Sequence, residues 1–182
     1  MSAQHITLLT FGFFDKNLLK EVAEAVALGF RCEVVCKEAR IDLGEYFNAG
    51  RRQYNGDRLL SVVGTLHLPD SMKTIGLFSV DLYIPILTYI FGQAHLGGEA
   101  GVASMFRLGN ELYGLAPELL LQNERFIKEV IHELGHTFGL LHCYDVSCVM
   151  RSSAYVEDID QKEKYFCANC YAALGFIGAV AK

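Results

Sequence analysis

The sequence predicts one α/β domain with a small, irregular C-terminal part. Three observations carry this expectation: strand–helix–strand alternation in the first half, a long helical segment in the second, and no linker rich in Pro, Gly or Ser between them. Residues 5–11 (HITLLTF) read as a strand closed by Gly12. Asp15 is placed to cap a helix that runs to Gly29, because Leu18, Leu19, Val22, Ala25 and Val26 recur at helical spacing. Residues 31–38 alternate as a second strand, and Cys32 and Cys36 share a face with Val34, which predicts core packing for both. A polar, Arg-rich passage over 45–57 leads to a helix over 57–64 and a third strand over 74–83. That order favours a parallel, right-handed crossover. Residues 89–108 read as two short strands around Gly97 and Gly98, hence a hairpin or an edge strand. A helix is expected from about Glu118 to Leu141, and Asp160 with Glu163 forms a capping-box pattern opening a last helix over 161–175.

Composition narrows the function classes. The 182 residues are 52% hydrophobic with a net charge of −5, which excludes intrinsic disorder, and no biased tract or repeat is present. Sixteen Lys plus Arg against 21 Asp plus Glu leave no surplus of positive charge for phosphate neutralisation, so no nucleic-acid partner is expected. The opening residues lack a basic n-region and a long apolar h-region, so no signal peptide is expected. The apolar stretches at 82–92 and 168–181 fall short of the roughly 20 residues that cross a bilayer. No membrane partner is therefore expected, and six cysteines without a secretion signal suit reduced thiols in a cytoplasmic setting.

The chemistry is concentrated in one passage. His132-Glu133-Leu134-Gly135-His136 is HExxH, and on a helix residues four apart differ by about 40° in direction, so both imidazoles can address one ion. Glu133 lies about 100° around from His132, which suits a general base beside a metal-held water better than a ligand. The motif extends to HExxHxxGxxH through Gly139 and His142. His142 cannot lie on the same helical face, so the chain must turn, and Gly139 can take positive φ without Cβ strain. Three imidazole nitrogens with a fourth position left for water describe a catalytic zinc site. Met150 follows at the distance of a methionine turn beneath such a site. Cys143, Cys148, Cys167 and Cys170 supply four thiolates from two short segments, the donor set of a closed, structural zinc. Two zinc ions per chain are expected, the second clamping the methionine-turn segment to the C-terminal helix.

From His132 to Cys170 the chain reads HExxHxxGxxHCx4CxMx16CxxC, which closely resembles the archaemetzincins, a family of metzincin zinc metallopeptidases. Residues 81–83 (DLY), 91–94 (FGQA) and 104–108 (SMFRL) are compatible with that resemblance. It implies a metzincin-like fold with a twisted mixed sheet and a long active-site helix. A single metallopeptidase domain over 1–182 would divide at Gly139 into an N-terminal subdomain (1–139) and a C-terminal one (140–182). It also implies catalytic zinc on His132, His136 and His142 with Glu133 as base, structural zinc on the four cysteines, and an edge strand within 89–108 that pairs with a peptide or flexible protein segment as substrate. Ser152 stands where some metzincins place a tyrosine ligand, so a tyrosine switch is not expected; the role of nearby Tyr155 stays open. With the first strand beginning near residue 5, no inhibitory pro-segment is expected, and a narrow or partly closed cleft is the alternative restraint.

Two other functions fit the same residues. One is a zinc aminopeptidase or other zinc hydrolase, although no acidic group is securely placed to hold a substrate amine. The other is a zinc-stabilised peptide-binding module with little turnover. His5, His67 and His95 are read as ordinary structural or surface residues, His95 lying closest to the expected substrate strand.

Overall fold

The computed structural model describes residues 5–175, and their architecture is mixed α/β. The first strand, β1 (His5–Phe11), is buried along its whole length. Helix α1 (Lys16–Phe30) opens at Asp15, whose Oδ1 accepts from the backbone N–H of Asn17 at 2.9 Å and Leu18 at 3.2 Å. It closes one residue beyond Gly29, and Arg31 takes the left-handed conformation at φ 51°. Strand β2 (Glu33–Ala39) then returns parallel to β1. Short strands β3 (Phe47–Asn48) and β4 (Gln53–Asn55) precede helix α2 (Gly56–Thr65) and strand β5 (Ser71–Phe78). Strands β6 (Leu82–Ile84), β7 (Leu87–Ile90), β8 (Gly92–Ala94) and β9 (Ala100–Ser104) follow, then helices α3 (Leu119–Thr137), α4 (Val156–Gln161) and α5 (Ala168–Ala173).

A five-stranded sheet runs in the order β2-β1-β5-β9-β8, parallel except for β8, which lies antiparallel at one edge. Side-chain alternation along β1 divides the core, because successive residues of a strand face opposite sides of the sheet. Ile6 and Leu8 pack with Phe30 of α1 and Phe126 and Leu134 of α3, whereas Leu9 and Phe11 pack with Leu59 and Val63 of α2 and with Phe78. The sheet is thus covered on both faces, as a largely parallel sheet requires. A second, four-stranded sheet, β3-β4-β6-β7, ends in β7, whose chain passes through Phe91 into β8. Among the described residues, no helix is long and apolar enough to cross a membrane.

Several sequence expectations need correction. The expected strand over 74–83 divides into β5 and β6, which belong to different sheets, and the polar passage over 45–57 supplies two strands of the second sheet. The long helix stops at Thr137 because Gly139 adopts φ 90°. Asp160 opens no helix: it lies inside α4, where Arg125 of α3 binds both its carboxylate oxygens at 2.7 Å. Cys32, half-buried, packs against the core as expected, whereas Cys36 is exposed because β2, among the described residues, is an edge strand with one neighbour.

Replacing Asp15 with Ala removes the side-chain acceptor from the α1 N-terminus. The expected loss is about 1 kcal/mol of unfolding free energy, read as a lower urea midpoint with an unchanged slope.

Candidate metal centres

α3 carries an unusually polar buried face for an interior helix. Arg125, Lys128, Glu129, His132 and Glu133 are all buried on it. His132 and His136 lie one turn apart, and the turn at Gly139 brings His142 back to them. The ring centroids are 4.6, 5.3 and 5.0 Å apart for the pairs His132–His136, His132–His142 and His136–His142. The helix C-terminus closes through Gly139 N–H donating to His136 O at 2.9 Å and Leu140 N–H to Gly135 O at 3.0 Å.

The hydrogen bonds of the rings fix their tautomers. Backbone carbonyls only accept, so His132 Nδ1 must donate to Val149 O at 2.8 Å, and His136 Nδ1 to Leu140 O at 2.7 Å. In the neutral rings each Nε2 then holds a bare lone pair, and the two Nε2 atoms face each other at 3.1 Å. Burial pushes both imidazoles towards that neutral form, His132 well below its ordinary pKa. Two converging lone pairs with no proton between them repel unless a cation lies at their intersection. Zinc bonded to nitrogen at about 2.0–2.1 Å in tetrahedral geometry would set such atoms about 3.3 Å apart. One ligand atom from each of the three histidines falls within 4.8 Å of the others, so the donor set fits zinc.

The four cysteines meet as the sequence spacing suggests. Cys143, Cys148, Cys167 and Cys170 bring their sulfurs within 4.8 Å of one another, with Cys143 Sγ 3.8 Å from Cys167 Sγ. Cys167 stands at the start of α5 and Cys170 inside its first turn. Backbone N–H groups point at the sulfurs, Asp145 N at Cys143 Sγ (3.4 Å) and Cys167 N at Cys148 Sγ (3.3 Å), which favours thiolates. Burial nevertheless pushes the Cys170 thiol up, with the neighbouring sulfurs adding to the shift. A cation relieves that crowding, so this donor set fits a closed zinc site.

Met150 is wholly buried beneath α3 and packs against the space left by Gly135. Its carbonyl accepts from Cys143 N–H at 2.9 Å, so one short segment touches both clusters. Gly92 of β8 has a comparable role above the helix. A Cβ there would come within 2.6 Å of Glu133 Cγ and 2.7 Å of Val102 O, so only glycine lets the edge strand lie directly over Glu133. A cleft of about 830 Å³ runs between β8 and the segment after Met150. Leu87–Ala94, Leu96, Leu141 and Ser152–Tyr155 border it, with Glu129, His132, Glu133, His136 and His142 at its floor. Tyr155 is therefore at the cleft, while Leu96, rather than His95, lines it.

Sequence reasoning did not single out Glu129 or Lys162. Lys162 Nζ, with its side chain fully buried, lies 3.1 Å from Glu129 Oε1 and donates to Arg151 O at 3.2 Å. Burial, with Glu129 one turn away, pushes the Glu133 carboxyl well above the usual carboxylate range, against the opposing pull of Lys162. Glu129 was detectable as the residue one turn before Glu133 on the same face; no local pattern marks Lys162. Replacing Lys162 with Met strands a buried carboxylate. The expected cost is about 3–5 kcal/mol in chemical denaturation, largely recovered when Glu129 is also made Met.

Known proteins provide an independent view of this architecture. The model of peptidase family M54 matches residues 16–175. The archaemetzincin of Thermococcus kodakarensis is 36% identical over 171 residues, covering 91% of this chain and 92% of that protein. The crystal structure of the Methanopyrus kandleri archaemetzincin superposes with a TM-score of 0.82 at 34% identity, covering 96% of this chain and 94% of that one. An Archaeoglobus fulgidus archaemetzincin, crystallised with malonate, gives a TM-score of 0.78 at 33% identity, covering 93% and 99%. With the HExxH helix, the two donor clusters and the edge strand on the same scaffold, the chain belongs to peptidase family M54, the archaemetzincins, and is a zinc metallopeptidase.

Proposed function

We propose that this peptidase hydrolyses peptide bonds in peptides or flexible protein segments laid along β8, with Glu133 as the general base. The supporting observation is the placement of Glu133: buried in the cleft floor, next to the three-histidine cluster and directly under Gly92 of the edge strand. His132, His136 and His142 would hold the catalytic zinc. Bound there, zinc supplies Lewis acidity, polarising the scissile carbonyl and acidifying water at neutral pH.

The chain's own groups do the remaining work. Among the described residues β8 pairs only with β9, so its other edge offers backbone N–H and C=O groups to an extended substrate. Exposed Leu87, Leu96, Leu141 and Tyr155 at the cleft rim provide apolar contact for its side chains. A Glu133 oxygen accepts the proton from the attacking water and then delivers it to the leaving nitrogen, so one carboxylate serves both halves of the reaction. Met150 supports the histidines from below, and Gly139 makes the turn that returns His142 to the other two. Cys143, Cys148, Cys167 and Cys170 would hold a second, structural zinc that ties α5 to the methionine segment. A reducing, cytoplasmic setting suits those thiols.

Replacing Glu133 with Ala is expected to leave zinc near two per chain by elemental analysis while lowering peptide hydrolysis by roughly 10²–10⁴-fold. Unchanged turnover would remove Glu133 from the mechanism. Replacing Cys170 with Ser should reduce the metal to one equivalent and lower the thermal midpoint, with the remaining equivalent still bound by the histidine cluster.

A further inference from the structure

The cleft does not have two equivalent ends. Gly92 is the first residue of β8, and before it the chain runs back through Phe91 to Tyr89 of β7. Tyr89 reaches across the cleft, and its hydroxyl donates to the carbonyl of Ala154 on the opposite wall at 2.9 Å. Both lie on the cleft lining, so the contact spans from one border to the other.

Each half of this bridge is anchored. The Tyr89 ring stacks against the Arg107 guanidinium at 4.3 Å and meets Phe91 edge-on at 5.5 Å. Arg107 is itself fixed by two 2.6 Å hydrogen bonds to the Asp81 carboxylate. Opposite, the Asp158 carboxylate accepts from Ala154 N–H at 2.9 Å and Tyr155 N–H at 3.0 Å. α4, which carries Asp158, is bound to α3 through Arg125–Asp160 and through Lys128 Nζ donating to Ile159 O at 3.2 Å. With Lys162 Nζ donating to Arg151 O at 3.2 Å, the wall is held on both sides of Ala154, and its backbone groups at 154 and 155 are engaged before any substrate arrives.

We propose that Tyr89 and Ala154 bar one end of the cleft, so that the peptidase cuts close to a free chain end instead of threading a long segment through. The spacing gives a limit. Gly92 lies over Glu133, and Tyr89 is three residues earlier, with a bend at Phe91 between β7 and β8. Three residues span at most about 10 Å even when fully extended, so no more than roughly three substrate residues fit between the reacting bond and the bar. Tyr89 is a specificity-determining residue in this reading, which rests on the peptidase function proposed above.

The test compares a long linear peptide with a head-to-tail circle of the same sequence, large enough to present an extended segment, using the zinc-loaded protein. Wild type is expected to cut the linear form within about three residues of one end and to spare the circle. Tyr89→Ala should raise cleavage of the circle relative to the linear form by roughly tenfold or more, and Tyr89→Phe, which keeps the ring but loses the bond to Ala154, should move the ratio the same way. Circular dichroism and zinc content establish that each variant is folded. Wild-type cuts far from both ends, or equal rates on the two substrates, would overturn the bar. Binding to zinc-loaded Glu133→Gln, followed by titration calorimetry, gives the readout without turnover. Tighter binding of the linear form by about tenfold supports the bar and equal binding overturns it. Failure of wild type to hydrolyse either substrate would instead count against the peptidase function, leaving the binding ratio to decide the bar.

Discussion

Two facing imidazole lone pairs organise the second half of this molecule. His132 and His136 commit their Nδ1 protons to the carbonyls of Val149 and Leu140, which leaves their Nε2 atoms 3.1 Å apart with no proton to share. The arrangement is electrostatically incomplete without a cation, and the carbonyls that impose it come from the segment beyond the helix. Tertiary structure therefore selects the metal-ready tautomers. The same segment carries Met150, whose burial under α3 and hydrogen bond from Cys143 make the histidine and cysteine clusters parts of one mechanical unit.

The polar face of α3 has a second consequence. Arg125, Lys128 and Glu129 each bind the stretch between Arg151 and Lys162, so the wall of the cleft is held by charge and hydrogen bonds as well as by Val156 and Ile159, which are buried in the core. Buried ion pairs contribute modestly to net stability because desolvation offsets their attraction, but removing one partner is costly and the geometry they allow is narrow. Such links suit a wall that must keep its distance from β8. Apolar packing alone would tolerate small shifts of α4; a bidentate Arg125–Asp160 pair at 2.7 Å does not.

What was legible in the sequence follows from how local each signal is. Strand β1, helix α1 and the β8–β9 hairpin were readable because the stop at Gly12, the Asp15 cap and the Gly97-Gly98 turn each act over a few neighbouring residues. The histidine and cysteine clusters were readable because ligand spacing is a geometric requirement that a chain must satisfy along its length. The second sheet was not, since strands such as Phe47–Asn48 and Leu82–Ile84 are too short to display a period. Asp160 had the look of a cap, yet a buried guanidinium competes more strongly for a carboxylate than a helix terminus does, and Asp158 bonds the α4 terminus instead. The burial of Lys162 depends on α3 and on Arg151 at once, and no local window contains both.

The order of these parts along the chain shapes how the protein is made. All strands of the five-stranded sheet have been synthesised by Ser104, before the ribosome reaches His132. The carbonyl that orients His132 comes from Val149, and the last sulfur of the thiol cluster is at Cys170. A nascent chain thus presents all the strands of this sheet before the residues that complete either donor cluster. Messages truncated before codon 167 would yield a protein with its scaffold present and its sulfur cluster missing half the donors.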